Sequence, residues 1–185
     1  MYYRIFSKIY EAAARKMCLD CEGFIRKGSK ILDLGCGSGI IGKTFQEIFQ
    51  ADLIGVDIDD KRISAIPFQL IDGENLPFPE NSFDVALINY VLHHSRDPIA
   101  LLNEAKRVAK DKIVICEDLP EDILSKLICQ LHGISFDNFF GNPTKTSFKS
   151  ESDWEKIFKE TGLNIIFKKR VNNFPVKKEL FILRV

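Results

Sequence analysis

The stretch that decides the fold is Ile31-Leu32-Asp33-Leu34-Gly35-Cys36-Gly37-Ser38-Gly39. Its first residues continue from Lys30 as a short apolar run, typical of a buried strand, which ends at Gly35. Ile41, Phe45 and Ile48 then recur at the spacing of one helix face. A strand that passes through a glycine-rich turn into a helix lets a ligand approach bare backbone at the helix N-terminus. This stretch therefore predicts a cofactor site.

Predicted strands alternate with predicted helices along the rest of the chain, which favours a mostly parallel sheet with both faces covered. The pattern predicts a doubly wound α/β fold with strands at residues 30–34, 53–56, 68–71, 83–88, 113–116, 163–171 and 179–185. Helices are predicted at residues 4–24, after 40, from Pro98 behind an Asp97 N-cap, at 121–131, and from a Ser152–Glu155 capping box to Gly162. The turn-like residues 172–175 predict a terminal hairpin, so the last strand should run antiparallel.

Composition predicts an ordinary globular protein, a single domain over residues 1–185. The 26 basic residues balance 26 acidic ones, so no global field favours nucleic acid or an anionic membrane. Five scattered cysteines do not form a secreted disulfide framework, and the lone Cys18-x-x-Cys21 pair lacks the partners of a metal site. The sequence shows no signal peptide and no membrane span, so a cytoplasmic location is expected.

Two cofactor classes compete for the glycine turn. Gly37, Gly39 and Gly42 match the dinucleotide pattern G-x-G-x-x-G, and Asp57 lies 20 positions after Gly37. Asp33, however, lies beside the turn, where its carboxylate would repel a pyrophosphate and attract an ammonium group. S-adenosylmethionine carries an α-ammonium, a sulfonium and no phosphate. The charge therefore favours this methyl donor over NAD.

The order of further segments makes the prediction more specific. The glycine segment resembles the first motif of class I S-adenosylmethionine-dependent methyltransferases, in particular their compact small-molecule branch of the type 11 kind. Later segments are similar to that family's motifs in the same order: Gly55–Asp59, Asp72–Phe78 and Phe83–His94, with Tyr3–Glu11 similar to its opening helix. The resemblance implies a Rossmann-like methyltransferase fold that uses S-adenosylmethionine and releases S-adenosylhomocysteine.

The resemblance also implies a set of cofactor-binding residues. In this set Asp57 holds both ribose hydroxyls, Asn89 meets the methionine amino group, and Tyr10 flanks the methionine end. At the adenine, Asp72 accepts from the amino group, the backbone at Gly73 or Glu74 meets the ring nitrogen, and Ile58 covers one face of the ring. A carboxylate suits the ribose because it can accept two hydrogen bonds from a vicinal diol. The whole implied set comprises Tyr10, Asp33, Gly35, Cys36, Gly37, Asp57, Ile58, Asp72, Gly73, Glu74 and Asn89.

The acceptor is less well defined by the sequence. Family motifs for adenine, glutamine amide and cytosine acceptors are missing, and a small molecule is favoured over a protein side chain. Residues 1–28, as an N-terminal cap, and an insert at 118–150 are expected to shape the acceptor site. After Leu131 the insert is expected to be irregular, with Gly141 and Pro143 in it. Its aromatic residues could line a pocket or serve as packing: Phe136, Phe139, Phe140 and Phe148. His93 and His94 are candidate bases, with packing or capping as the alternative. A cofactor-binding protein without transfer activity and an NAD-dependent oxidoreductase stay open as further alternatives.

Overall fold

The computed structural model of the protein describes residues 7–73, 75–140, 146–171 and 176–185, and for residues 132 and 135–140 it describes the backbone alone. The helices in these ranges are α1 (Ser7–Cys21), α2 (Ile40–Phe49), α3 (Pro98–Val108), α4 (Ile123–Phe140) and α5 (Glu151–Glu160), with a short 3₁₀ helix at Leu92–His94. The strands are β1 (Lys30–Leu34), β2 (Asp52–Asp57), β3 (Phe68–Leu70), β4 (Phe83–Asn89), β5 (Ala109–Leu119), β6 (Asn164–Val171) and β7 (Lys177–Arg184).

The strands form one seven-stranded sheet in the order β3-β2-β1-β4-β5-β7-β6. The pairs among β1 to β5 are parallel, and β7 runs antiparallel to both β5 and β6. The predicted mostly parallel sheet with an antiparallel C-terminal strand is thus confirmed. Strand order reverses at β1, which lies between β2 and β4. Open α/β sheets bind ligands at such a switch point, outside the carboxyl ends of the strands.

Helices cover both faces of the sheet. On one face Leu102 of α3 and Trp154 of α5 belong to one buried apolar cluster with Leu32 and Leu34 of β1. On the other face α1 and α2 pack onto the opposite side of β1, where Ile31 points. Side chains alternate between faces along a strand. Asp33 therefore points to the α2 face, within an otherwise apolar layer.

The beginnings of two helices differ in how well the sequence predicted them. α3 begins as expected, because the Asp97 side chain accepts the N–H groups of Ile99 and Ala100, both at 3.0 Å. The predicted capping box of α5 was wrong by two residues. Ser150 is the N-cap, and its hydroxyl accepts from the N–H of Asp153 while Asp153 accepts from the N–H of Ser150. Aspartate fills the position that the prediction gave to glutamate.

The prediction that the aromatic stretch after Leu131 is irregular was wrong in part. α4 continues through it to Phe140, and residues 141–145, which include the predicted Gly141 and Pro143, lie outside the described residues. Gly133 does not end the helix. A Cβ at Gly133 would lie 3.0 Å from Cβ of Thr146, so the glycine permits a close contact between α4 and the chain that follows.

Two connections also bear on the predictions. The link from β2 to β3 is as short as the sequence indicated: residues 58–67 contain no helix. β5 extends beyond the predicted 113–116 at both ends, because β4 and β7 pair with it on either side. The predicted turn at 172–175 and the opening Tyr3 lie outside the described residues. In the described part of the chain, no helix has the length and apolar character needed to cross a bilayer.

Candidate active site

The glycine turn lies between β1 and α2, at the switch point of the sheet. Gly35 has a φ of +71°, and a Cβ there would lie 2.4 Å from Cγ2 of Val91. Gly37 has a φ of +49°, in the left-handed region that glycine adopts most easily. Cys36 between them is buried. The turn therefore brings bare backbone to the carboxyl edge of the sheet, as the sequence predicted.

Asp57, the last residue of β2, holds this turn in place. Its Oδ2 accepts the N–H of Gly37 at 2.8 Å, and its Oδ1 accepts the N–H of Ile58 at 2.8 Å. Burial raises the pKa of Asp57, and these two N–H groups oppose the shift. The sequence predicted Asp57 as a ligand-binding residue but not its hydrogen bond to Gly37. The spacing of 20 residues between the two was interpreted as a sign of a shared ligand and not of a direct contact.

Asp33 is a buried acid with an unsatisfied oxygen. Its side chain is 2% exposed, and its Oδ2 has no hydrogen-bond partner among the described residues. Burial, followed by the charge of Asp57, raises the pKa of Asp33 to about 7, and the backbone N–H of Gly42 opposes the shift. A Cβ at Gly42 would lie 2.5 Å from this Oδ2, so the glycine lets α2 approach the acid. The close approach of α2 to Asp33 therefore explains Gly42, the third glycine of the dinucleotide-like pattern.

Asn89 is the second buried polar side chain at this edge. It ends β4, is 7% exposed, and neither its Oδ1 nor its Nδ2 bonds to any described residue. Asp33 is in register with Leu87 of β4, two residues before Asn89, so both polar side chains lie on the same face of the sheet. Unsatisfied buried polar atoms are rare and costly in proteins. Together they offer acceptors for an ammonium group and a donor for a carboxylate.

The predicted adenine-binding residues also come together. Ile58 follows Asp57, and its side chain is 62% exposed. A Cβ at Gly73 would lie 3.0 Å from Cγ2 of Ile58, so the two predicted segments are in contact. Asp72 is exposed, and its Oδ1 accepts the N–H of Asn75 at 3.3 Å. Glu74 lies outside the described residues.

The loop after β4 separates the two candidate bases. His93 is buried, and its Nδ1 bonds to Oε2 of Glu117, a residue of β5. His94 is partly exposed, and its Nδ1 lies 3.0 Å from Oγ1 of Thr146. Burial alone would lower the pKa of His93, but the Glu117 carboxylate outweighs it and the pKa is raised. Sequence reasoning offers Glu117 only as a further possible base and not as the partner of His93, since 24 residues separate the pair.

A cavity of about 890 Å³ opens beside this loop, on the side of the predicted acceptor insert. Its wall includes Leu119 at the end of β5, Lys126 of α4, Thr146 and Phe148. The predicted aromatic residues Phe136, Phe139 and Phe140 belong to α4, where only the backbone is described. Of the predicted aromatics, Phe148 thus lines the cavity.

Comparison with known proteins identifies the family. A family model described as a methyltransferase domain matches residues 4–167, most of the chain. The chain belongs to this methyltransferase family. The membership confirms the resemblance to class I methyltransferases that the motif order predicted, and it leaves the dinucleotide interpretation without support.

Two relatives match part of this chain at modest sequence identity. It is 28% identical over 154 residues to the uncharacterized methyltransferase YcgJ of Bacillus subtilis, covering 75% of this chain and 58% of that protein. It is 34% identical over 100 residues to the ubiquinone/menaquinone biosynthesis C-methyltransferase UbiE of Burkholderia mallei, covering 46% of this chain and 41% of that protein. The methyltransferase thus spans about half the length of these relatives.

Solved structures support the same fold. The magnesium protoporphyrin IX methyltransferase of Synechocystis, solved with bound S-adenosylhomocysteine, superposes with a TM-score of 0.69 at 17% identity, covering 98% of this chain and 85% of that one. At this identity the likeness concerns the fold alone. The methyltransferase therefore shares with it a Rossmann-like sheet.

The methyltransferase places most of its predicted cofactor residues at one edge of the sheet. The glycine turn, Asp33, Asp57 and Asn89 lie at the ends of β1, β2 and β4, which are neighbours. Tyr10 is partly buried on α1, which packs against α2. Its predicted place at the methionine end of the cofactor stays a prediction.

Proposed function

We propose that this methyltransferase transfers a methyl group from S-adenosylmethionine to a small-molecule acceptor and releases S-adenosylhomocysteine. One observation carries the proposal most directly. Asp33 and Asn89 are both buried, both carry polar atoms that no described residue satisfies, and both lie on one face of the sheet at its switch point. Such an arrangement costs stability unless a ligand satisfies it.

The residues present suit the two ends of this cofactor. The methionine end of the cofactor carries an ammonium group, which can pair with the Asp33 carboxylate. The Asn89 amide can accept from this ammonium group through its oxygen and donate to the neighbouring carboxylate through its NH₂ group. The ribose fits Asp57, whose two oxygens each accept one backbone N–H and keep lone pairs for a diol. The exposed side chain of Ile58, in contact with Gly73, supports a place for the adenine ring.

The chemistry expected of the chain is positioning. When bound, S-adenosylmethionine supplies an activated methyl group, because its sulfonium leaves as a neutral thioether. Asp33, Asp57 and Asn89 would bind and orient the donor. The loop after β4 and the cavity wall near Phe148 would align the acceptor and exclude water. Alignment at about 3–3.5 Å lowers the barrier by several kcal/mol without a dedicated base.

Two observations support a small-molecule acceptor. The cavity of about 890 Å³ is of the size of ligand pockets, and it adjoins the loop after β4. The names of two similar proteins, a quinone-biosynthesis C-methyltransferase and a magnesium protoporphyrin IX methyltransferase, refer to small molecules.

A transfer assay with methyl-labelled donor tests the proposal. The purified chain is incubated with labelled S-adenosylmethionine and a metabolite panel divided into hydroxyl, amine, thiol and carbon acceptors, with Asp33→Asn as the inactive control. We expect label in one acceptor class with the unaltered chain and none above background with the variant. Label found in protein alone would overturn the small-molecule assignment. Cofactor binding without transfer to any acceptor would mean a binding protein that is not an enzyme.

A further inference from the structure

Glu117 is a buried acid that the proposed chemistry has not used. It lies on β5 with 0% exposure. Its Oε1 accepts the N–H of Val91 at 3.1 Å and the N–H of Leu92 at 2.9 Å, and its Oε2 bonds to Nδ1 of His93. One carboxylate therefore fixes three consecutive residues of the loop after β4. Hydrogen bonds to a charged group are roughly twice as strong as neutral ones.

On one side this loop contacts the cofactor turn. Val91 packs so closely on Gly35 that a Cβ there would lie 2.4 Å from Cγ2 of Val91. Tyr90, between Asn89 and Val91, has a φ of +60°, which is unfavourable for a bulky side chain. Backbone strain of this kind persists only where the surroundings impose it. The bonds to Glu117 begin at the very next residue.

On its other side the loop contacts the acceptor-side cavity. The ring of His93 stacks on Phe148, with centroids 4.8 Å apart and an angle of 23° between the planes. The backbone O of His93 accepts the N–H of Ser147 at 2.8 Å, and His94 bonds to Thr146. Thr146 and Phe148 both line the cavity. Of the three residues that Glu117 holds, Val91 therefore contacts the cofactor turn and His93 contacts the cavity wall.

We infer that Glu117 is a positioning residue for methyl transfer, which holds residues 91–93 so that the cofactor turn and the cavity wall keep a fixed separation. The inference rests on the proposed function. Proximity makes such a role valuable, since displacement by about 1 Å can reduce the rate about 10²-fold.

His93 acts with Glu117 in this arrangement and not as the base. Its Nδ1 is engaged by Glu117, its ring lies between Phe148 and His94, and the side chain is 2% exposed. The charged groups around it are Glu117 and Asp118, which raise its pKa, and Lys178, which lowers it. An asparagine at position 93 can still donate an N–H near the place of Nδ1, and an alanine cannot.

The chain offers a matched control. Glu179 of β7 is directly opposite Glu117 in the sheet and is equally buried, but it bonds to Arg170 and not to the loop. The experiment compares Glu117→Gln, Glu117→Ala, His93→Asn and His93→Ala with Glu179→Gln. It measures kcat and KM with an acceptor from the labelled panel, affinity for S-adenosylhomocysteine by calorimetry, and the His93 titration by ¹⁵N NMR.

We expect Glu117→Ala to lower kcat about 10²-fold and Glu117→Gln about tenfold, since glutamine keeps the Oε1 acceptor and loses the charge. His93→Asn should stay within about threefold of the unaltered chain and His93→Ala should lose about tenfold. Glu179→Gln should leave kcat within about threefold. Because Val91 packs on Gly35, Glu117→Ala should also weaken S-adenosylhomocysteine binding, and Glu117→Gln should lower the pKa of His93.

Three results would overturn the inference: normal kcat in Glu117→Ala, equal loss in His93→Asn and His93→Ala, or an equal effect of Glu179→Gln. Failure of the proposed function is seen separately, as an unaltered chain that neither binds S-adenosylhomocysteine nor transfers a methyl group. If that chain binds S-adenosylhomocysteine but transfers a methyl group to no acceptor, the affinity of Glu117→Ala for S-adenosylhomocysteine tests the inference instead. Weaker binding in Glu117→Ala alone would support the role of the loop, and unchanged binding would contradict it.

Discussion

The carboxylate of Asp57 accepts the backbone N–H of Gly37 at 2.8 Å, so the acid at the end of β2 braces the turn at the end of β1. The two residues lie 20 positions apart and meet because β1 and β2 are neighbouring parallel strands. A ligand at this edge would meet a turn that is already fixed. Pre-organisation of this kind reduces the entropy lost on binding.

Asp57→Ala should weaken binding of S-adenosylhomocysteine by about 1.5–3 kcal/mol, because charge-assisted hydrogen bonds to the ribose are lost and the Gly37 N–H loses its partner. Folding should survive, since the residue is only half-buried at a strand end. Calorimetry gives the affinity. Asp59→Ala, which removes an exposed acid two residues away, is the control, and equal affinities in the two variants would remove Asp57 from the site.

Gly37→Val should abolish binding, because a side chain would block the approach of the cofactor to the backbone, and a β-branched residue disfavours the φ of +49°. Gly28→Val is the matched control. Gly28 has a φ of +78°, and a Cβ there would have no neighbour within 4 Å. Circular dichroism and a binding titration distinguish the two. Full-strength binding by Gly37→Val would mean that the turn only connects two elements.

Binding should depend on pH through Asp33. The pKa of this carboxyl is raised to about 7, so below that pH it must lose a proton before it can pair with an ammonium group. Affinity for S-adenosylhomocysteine should therefore fall by up to about tenfold per pH unit below 7. Calorimetry at several pH values tests this, and Asp33→Asn should bind weakly with a flat profile. A pH-independent affinity in the unaltered chain would contradict the role of Asp33.

The same residue should limit the stability of the cofactor-free protein. Its pKa is about 7 in the fold and about 3.9 in an unfolded chain, so its ionisation destabilises the fold as the pH rises through this range. Asp33→Asn should raise the free energy of unfolding by roughly 4 kcal/mol at pH 8, and the gain should vanish below about pH 4. Urea unfolding at both pH values measures it. If Asp33→Asn were less stable than the unaltered chain at pH 8, ionisation of Asp33 would not be what destabilises the fold.

Turnover should survive the loss of either histidine. If transfer depends on alignment more than on proton removal, His93→Ala and His94→Ala should each leave measurable activity, with His93→Ala the slower because it also disturbs Glu117. Deletion of residues 1–28 should cost more than either substitution. Rates with saturating donor and acceptor measure the effect. A single variant that binds both ligands and shows no turnover would assign that histidine the role of base.

The sequence predicted well where function depends on local chain geometry. The β1–turn–α2 unit, the acid at the end of β2 and the position of Asn89 follow from strand periodicity, glycine spacing and motif order. The α5 cap was misplaced because Ser152 and Glu155 fit the usual capping-box rule, whereas the box that forms pairs Ser150 with Asp153. The bond from Glu117 to residues 91–93 could not be read from the chain, because the register of β4 with β5 creates it.

The central claim is that S-adenosylmethionine occupies the site formed by Asp33, Asp57 and Asn89. Calorimetric titration of the full chain with S-adenosylhomocysteine, and separately with NAD, tests it most directly. We predict one site with a dissociation constant in the micromolar range, about −8 kcal/mol, for S-adenosylhomocysteine and no heat of binding with NAD. Binding of NAD with no response to S-adenosylhomocysteine would contradict the claim.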